Sequence, residues 1–218
     1  MSVPNLPQPS LRTVAGVILA AGESRRMGHD KALLPLGERT FLSHLIEVLQ
    51  GEVAPVVVVL GHHADEIAKT LTAPSETIVL RNPDYPLGQL SSLQVALRHL
   101  ENQRVAGTLV CLVDHPAASK MVVRELVKRF RKSAAPLVIP TYNGRRGHPV
   151  LFSRCLFPEL LKAPLEEGAR SVVRQHGGEI EFVAVNEPGI LLDVDVPADY
   201  QALLAQWAEL TGRDDELP

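Results

Sequence analysis

Between Leu19 and Lys31 the chain reads LAAGESRRMGHDK, a stretch with two glycines, Arg25, Arg26 and Lys31, and almost nothing apolar after the first three residues. Gly22 and Gly28 can adopt positive φ or bring backbone amides close to a ligand, while small Ala20 and Ala21 permit a tight turn. Successive amide donors flanked by guanidinium and ammonium groups make an anion cradle suited to phosphate. The same loop reads equally as a glycine-rich surface turn with solvated arginines. It is neither a P-loop nor a dinucleotide fingerprint: five residues separate the glycines, no GK[ST] follows, and there is no GxGxxG.

The acidic candidates lie far downstream. Asp114 follows the apolar run GTLVCLV and precedes His115 and Pro116, a placement that suits a hard oxygen ligand for Mg²⁺ beside phosphates. A turn-capping aspartate before proline is the plain alternative. In LLDVDVPADY, Asp193 and Asp195 are spaced by two, so in an extended segment both carboxylates share a face. Either could join Asp114 around a metal, and Asp195 alone would favour the positive end of a helix starting at Pro197.

These groups need a scaffold that gathers loops at one edge. Apolar runs recur at 14–20, 55–60, 77–80, 107–113, 136–140 and 182–185, and helical spacing appears between several of them, as in Phe41, Leu42, Leu45, Ile46 and Leu49. Near-continuous β-branched runs such as VVVV indicate strands covered on both faces. The expected fold is three-layer α/β/α with a mostly parallel, Rossmann-like sheet. Ligands in such sheets bind outside the carboxyl ends of strands, where the loops after Ala20, Leu60, Leu80 and Val113 converge. A final helix is expected from Pro197 to about Leu210, with Tyr200, Leu203, Leu204 and Trp207 on one face.

With 218 residues, 45% hydrophobic, the chain can bury a substantial core, and one domain spanning 1–218 with loose ends at 1–12 and 212–218 is expected. Its net charge of −3 gives no global attraction to nucleic acid or to an anionic membrane, so any anion site must be local. No apolar stretch is long enough to span a bilayer, and Cys111 and Cys155 lack metal-ligand spacing, so a cytoplasmic protein with reduced, buried thiols is expected.

The segment LAAGESRRMGHDKALLPLGERTFL closely resembles the signature LAAGxSxRMGxxKxLLPxxGxxxL of the MobA-like nucleotidyltransferases, most closely those that cytidylate molybdenum cofactor. That resemblance implies the fold of nucleotide-diphospho-sugar transferases and a loop wrapping a nucleotide triphosphate. Gly22, Arg26 and Lys31 would contact phosphates with Arg25 as a helper, and Leu19, Ala20 and Ala21 would line the base. Family guanylyltransferases typically read LAGG and cytidylyltransferases LAAG, so Ala21 points to CTP. Asp114 matches a metal-binding Asp-x-Pro, although His115 replaces the usual Gln or Met. PLGQLSSLQVAL resembles a nucleotide-contacting Gly-x-x-Ser-Ser-Leu segment, which brings in Gly88, Ser91 and Ser92, each also consistent with an ordinary helix start. NGRRGHPVLF resembles an acceptor-side GHPV motif carrying Gly147 and His148, and Val196 stands where the family has a capping threonine.

The implied reaction joins CMP from CTP to the phosphate of molybdopterin or molybdenum cofactor with release of pyrophosphate. Lys31, Arg26 and Asp114 would be catalytic, and Mg²⁺ would be held by Asp114 with Asp193 or Asp195. A molybdenum hydroxylase is a possible client. Alternatives are use of GTP, another phosphorylated acceptor, or a non-catalytic protein that escorts nucleotide or cofactor.

Overall fold

A computed structural model describes residues 13–71 and 77–211, with side chains of the last helix described to Trp207; the expected loose ends, 1–12 and 212–218, lie outside the described residues. In chain order the strands are β1 (Val14–Ala20), β2 (Pro35–Leu36), β3 (Arg39–Thr40), β4 (Val56–Leu60), β5 (Thr77–Arg81), β6 (Gly107–Leu112), β7 (Leu137–Tyr142), β8 (Arg145–Arg146), β9 (Val150–Ser153) and β10 (Ile180–Ala184). The helices are α1 (Phe41–Leu49), α2 (Ala64–Thr70), α3 (Gln89–Leu100), α4 (Lys120–Lys132), α5 (Phe157–Lys162), α6 (Arg170–Gln175) and α7 (Pro197–Thr211).

One sheet runs β10-β7-β9-β6-β1-β4-β5, with β8 paired to β7 and β2-β3 forming a separate ribbon. β1 lies parallel between β4 and β6, with Leu19 opposite both Val59 and Leu112. Because side chains alternate along a strand, β1 sends Val14, Ile18 and Ala20 into one core and Ala15, Val17 and Leu19 into another. Leu42, Leu45, Leu49, Val123 and Leu126 of α1 and α4 cover the first face; Leu93, Leu97, Phe157 and Val172 of α3, α5 and α6 cover the second. The sheet is therefore mostly parallel and covered by helices on both faces, as the VVVV run requires.

The expected strands all form, but β9 is an addition: VLFS inserts antiparallel between β6 and β7, making the sheet mixed. Two smaller expectations are corrected. Cys111 is buried in β6, but Cys155 is exposed on a short turn before α5. In α7 Leu203 is buried, whereas Leu204, one residue and about 100° further round the helix, is exposed.

A third cluster fixes the functional edge. Met27 and Leu34 from the basic loop pack with Phe41, Ala117, Val194 and Leu203, so apolar contacts tie that loop to the loop after β6 and to the segment before α7.

Candidate active site

After β1 the chain leaves the sheet through Ala21, whose carbonyl accepts from His62 N at 3.1 Å. It then turns at Ser24, whose carbonyl accepts from Met27 N and Gly28 N and whose hydroxyl accepts from Lys31 N at 3.1 Å. Positive φ falls on Ser24 (52°) and Gly28 (76°), not on Gly22. A Cβ at Gly22 would meet nothing within 4 Å, so that position leaves its backbone open to the cleft it lines.

The cleft has a volume of about 300 Å³ and opens over the carboxyl ends of β1 and β6. Of the residues expected to bind nucleotide, Leu19, Ala21, Gly22, Arg25, Arg26, Lys31, Gly88 and Ser92 line it, together with Asp114 and Asp195. Ala20 is buried in the sheet instead. Ser91 is also turned away: its hydroxyl donates to the carbonyls of Asp84 and Gly88 and accepts from Asn82 Nδ2. Asn82 also donates to Ser92 Oγ at 2.9 Å, which fixes the start of α3 against the loop after β5. Gly88, at φ 100°, holds the turn that aims the positive end of α3 at the cleft. Ser24, Tyr85, Gln89 and Val113 also line it. Ser24 is the serine of the LAAGxSxRMG signature and was open to detection there, whereas Tyr85, Gln89 and Val113 are ordinary loop or helix-start residues whose exposure depends on long-range packing.

The charged groups are coupled. Lys31, buried to 8% exposure, donates from Nζ to Asp195 Oδ1 at 2.6 Å and lies 3.6 Å from Asp114 Oδ2. The far more exposed Arg26 reaches Asp195 Oδ2 at 2.8 Å. Asp195 is thus bridged by two cations, and the Lys31 hydrogen bond above all holds its carboxyl below the usual range. Arg25 pairs with its neighbour Glu23 and is mostly exposed.

Asp193 has a different environment. Burial, followed by the nearby Asp114 carboxylate, raises its pKa. One of its carboxylate oxygens lies with an Asp114 carboxylate oxygen and a His115 ring nitrogen in a group whose atoms are all within 4.8 Å of one another. Asp114 Oδ1 and His115 Nδ1 are buried and have no hydrogen-bond partner among the described residues. Buried polar atoms are normally satisfied, so the pair fits a site that binds a cation.

Of the two residues expected to meet the acceptor, Gly147 does not line the cleft. A Cβ there would lie 2.4 Å from the Ile190 carbonyl oxygen, so this glycine permits a close backbone crossing. His148 donates its backbone N–H to the same oxygen at 2.9 Å. His148 lines a neighbouring, mostly apolar cavity of about 530 Å³ together with Arg146 and Arg170, and its ring lies beside that of His115 with centroids 4.6 Å apart. Leu19, Gly88 and Gln89 border both cavities. Burial and the adjacent His115 push the His148 pKa down to about 4, leaving it neutral at pH 7.

Residues 16–180 match the family described as the MobA-like NTP transferase domain. The chain belongs to that family. It is accordingly a nucleotidyltransferase. It is 25% identical over 194 residues to the molybdenum cofactor cytidylyltransferase of Escherichia coli K12, covering 89% of this chain and 97% of that one. It is 37% identical over 142 residues to a probable molybdenum cofactor guanylyltransferase of Mycobacterium bovis BCG, covering 64% of this chain and 67% of the relative. Among solved structures, Rv0371c of Mycobacterium tuberculosis H37Rv superposes with a TM-score of 0.79 at 30% identity, covering 88% of this chain and 97% of that one. A structure of Rv0371c in complex with manganese superposes at 0.72, with 29% identity and 88% and 98% coverage. These neighbours share the nucleotide-diphospho-sugar transferase fold. No helix among the described residues is long and apolar enough to cross a membrane.

Proposed function

We propose that this nucleotidyltransferase transfers CMP from CTP to the terminal phosphate of molybdopterin or molybdenum cofactor and releases pyrophosphate. The observation that carries this reading is the convergence of Lys31, Arg26 and Asp114 on one cleft whose wall includes Ala21, the second alanine of LAAG. The cytidylyltransferase relative, matched over most of both chains, supports the same activity.

In the reaction an acceptor phosphate oxygen forms a bond to the α-phosphorus as the bond from that phosphorus to the β-phosphate oxygen breaks. The nucleophile is already anionic, so no general base is needed and the protein acts by alignment and charge stabilisation. Lys31 and Arg26 exchange Asp195 for phosphate oxygens and stabilise charge moving onto pyrophosphate. Gly22 and the start of α3 offer backbone amides to the triphosphate. The cavity beside His148 and Arg146 accommodates the acceptor, next to the nucleotide rather than within its cleft.

Asp114 and Asp193 would hold the divalent ion, with Asp195 engaged by the two cations. Bound there, Mg²⁺ or a related ion supplies Lewis-acid neutralisation of phosphate charge. That Rv0371c has been solved in complex with manganese supports use of a metal ion by this chain.

Use of GTP is the second reading, favoured by the higher identity of the mycobacterial guanylyltransferase relative. The deciding experiment measures pyrophosphate release with CTP, GTP, ATP and UTP, each with molybdopterin or molybdenum cofactor and with Mg²⁺ present or absent. CTP is expected to give the highest kcat/KM. GTP preference would replace the base assignment, and nucleotide binding without turnover on any acceptor would favour the escort role.

A further inference from the structure

His115 stands between Asp114 and Pro116 just beyond the end of β6, and its surroundings give its imidazole a chemical use. Its ligand nitrogen and the carboxylate oxygens of Asp114 and Asp193 all lie within 4.8 Å of one another. Three ligand atoms each about 2.2 Å from one ion lie about 3 to 4 Å from one another, so closing the group requires side-chain movements on the order of 1 Å. Asp114 Oδ1 and His115 Nδ1 are both buried and unpartnered among the described residues. Lys31 approaches Asp114 through the other oxygen, Oδ2, and therefore does not satisfy the first.

The other metal-sized group, Asp30, His62 and His63, differs in this respect. His63 Nδ1 is hydrogen-bonded to Asp30 Oδ2 at 3.0 Å and His62 Nδ1 to Tyr85 at 3.2 Å, so both Nδ1 atoms and one Asp30 oxygen already have partners.

The geometry points to His115 as a third ligand, making Asp114, His115 and Asp193 a mixed nitrogen and oxygen site that holds Mn²⁺ in preference to Mg²⁺. This inference rests on the metal position in the proposed reaction and deepens it. Mg²⁺ binds through oxygen and retains its waters, whereas imidazole nitrogen raises affinity for first-row transition ions. With glutamine or methionine at position 115 that nitrogen is lost, and the discrimination with it.

The test is Mn²⁺ binding to the nucleotide-free full chain, followed by electron paramagnetic resonance, with Mg²⁺ as competitor. His62 and His63 are replaced by glutamine throughout to remove the neighbouring nitrogen donors. In this background the chain should bind Mn²⁺ with a directly coordinated ¹⁴N coupling. His115→Gln should abolish that coupling and weaken Mn²⁺ about tenfold or more while changing Mg²⁺ affinity less than about threefold. His148→Gln should retain the coupling, and thermal unfolding of metal-free protein verifies that each variant folds. Absence of Mn²⁺ binding, absence of nitrogen coupling, or coupling that survives His115→Gln and disappears in His148→Gln would overturn the assignment. Pyrophosphate release is measured separately: transfer without nitrogen coupling removes His115 alone, whereas coupling without transfer removes the proposed reaction alone.

Discussion

Lys31 combines burial with a full charge and two carboxylate neighbours, which is tolerated because Asp195 accepts a hydrogen bond from its ammonium group at 2.6 Å. In Lys31→Ala the remaining Arg26 still pairs with Asp195, so the protein should fold while kcat falls about 100-fold or more through lost stabilisation of the leaving pyrophosphate. Steady-state pyrophosphate release and circular dichroism on the same sample separate the two effects; near-normal turnover would remove Lys31 from the mechanism. Ala21 tests the base assignment. Ala21→Gly recreates LAGG, and one methyl in an apolar contact is worth ~1 to 3 kcal/mol, so the kcat/KM ratio of CTP to GTP should fall about tenfold. An unchanged ratio would place base discrimination elsewhere. The sequence brought both aspartates of DVD to the site but could not divide their work, because residues two apart share a face in extended chain. Only the fold puts Lys31 and Arg26 against Asp195 and leaves Asp193 beside Asp114. Ser91 and Ser92 were indistinguishable for a related reason: adjacent helical residues point about 100° apart, and only the fold shows the Ser91 hydroxyl turned to the Asp84 and Gly88 carbonyls while Ser92 lines the cleft.

At the level of elements, the start of α7 both caps a helix and shapes the site. Val196 has no side-chain acceptor for the first-turn amides, but Asp199 Oδ2 accepts from Asp195 N and Val196 N, each at 2.9 Å, and so supplies the reciprocal half of a capping box. Asp199→Ala should cost about 1 kcal/mol of stability and, by loosening Asp195, also reduce turnover. Denaturant unfolding and kcat check the pair of effects; a stability loss with unaltered kcat would show that the cap does not position Asp195. Gly147→Ala should destabilise by about 1 to 3 kcal/mol, since the new methyl would lie 2.4 Å from the Ile190 carbonyl and backbone must move. A melting temperature equal to the parent's would contradict that crossing. The parallel strands were legible as long apolar β-branched runs; β9 was not, because VLFS is only four residues long and follows the GHP turn without an alternating pattern. Its place depends on pairing with β6 and β7 across the sheet.

Across the whole molecule, helices on both faces hold the sheet, while a third cluster joins the basic loop to α7 and the loop after β6. His44 of α1 packs edge-on against Trp207 of α7, with ring centroids 5.1 Å apart, and burial lowers its pKa to about 4. The unfolded chain takes up this proton below about pH 6.5, whereas the folded chain resists it until about pH 4. Stability from this source is therefore lost as pH falls through that window, by about 2 to 3 kcal/mol. His44→Gln should show a smaller loss of melting temperature between pH 7 and 4.5 than the parent; parallel curves would exclude His44 as the cause. Composition and periodicity were enough to place the loops at one sheet edge, since parallel α/β order has few alternatives. The ion pairs joining residues 164 positions apart, such as Lys31 and Asp195, required the assembled molecule.

The most direct measurement is a crystal structure of the full chain with CTP and a divalent ion. The triphosphate should lie against Gly22, with Lys31 and Arg26 transferred from Asp195 to its oxygens and the ion between it and Asp114. A nucleotide bound outside this cleft, with the Lys31–Asp195 and Arg26–Asp195 pairs intact, would contradict the account.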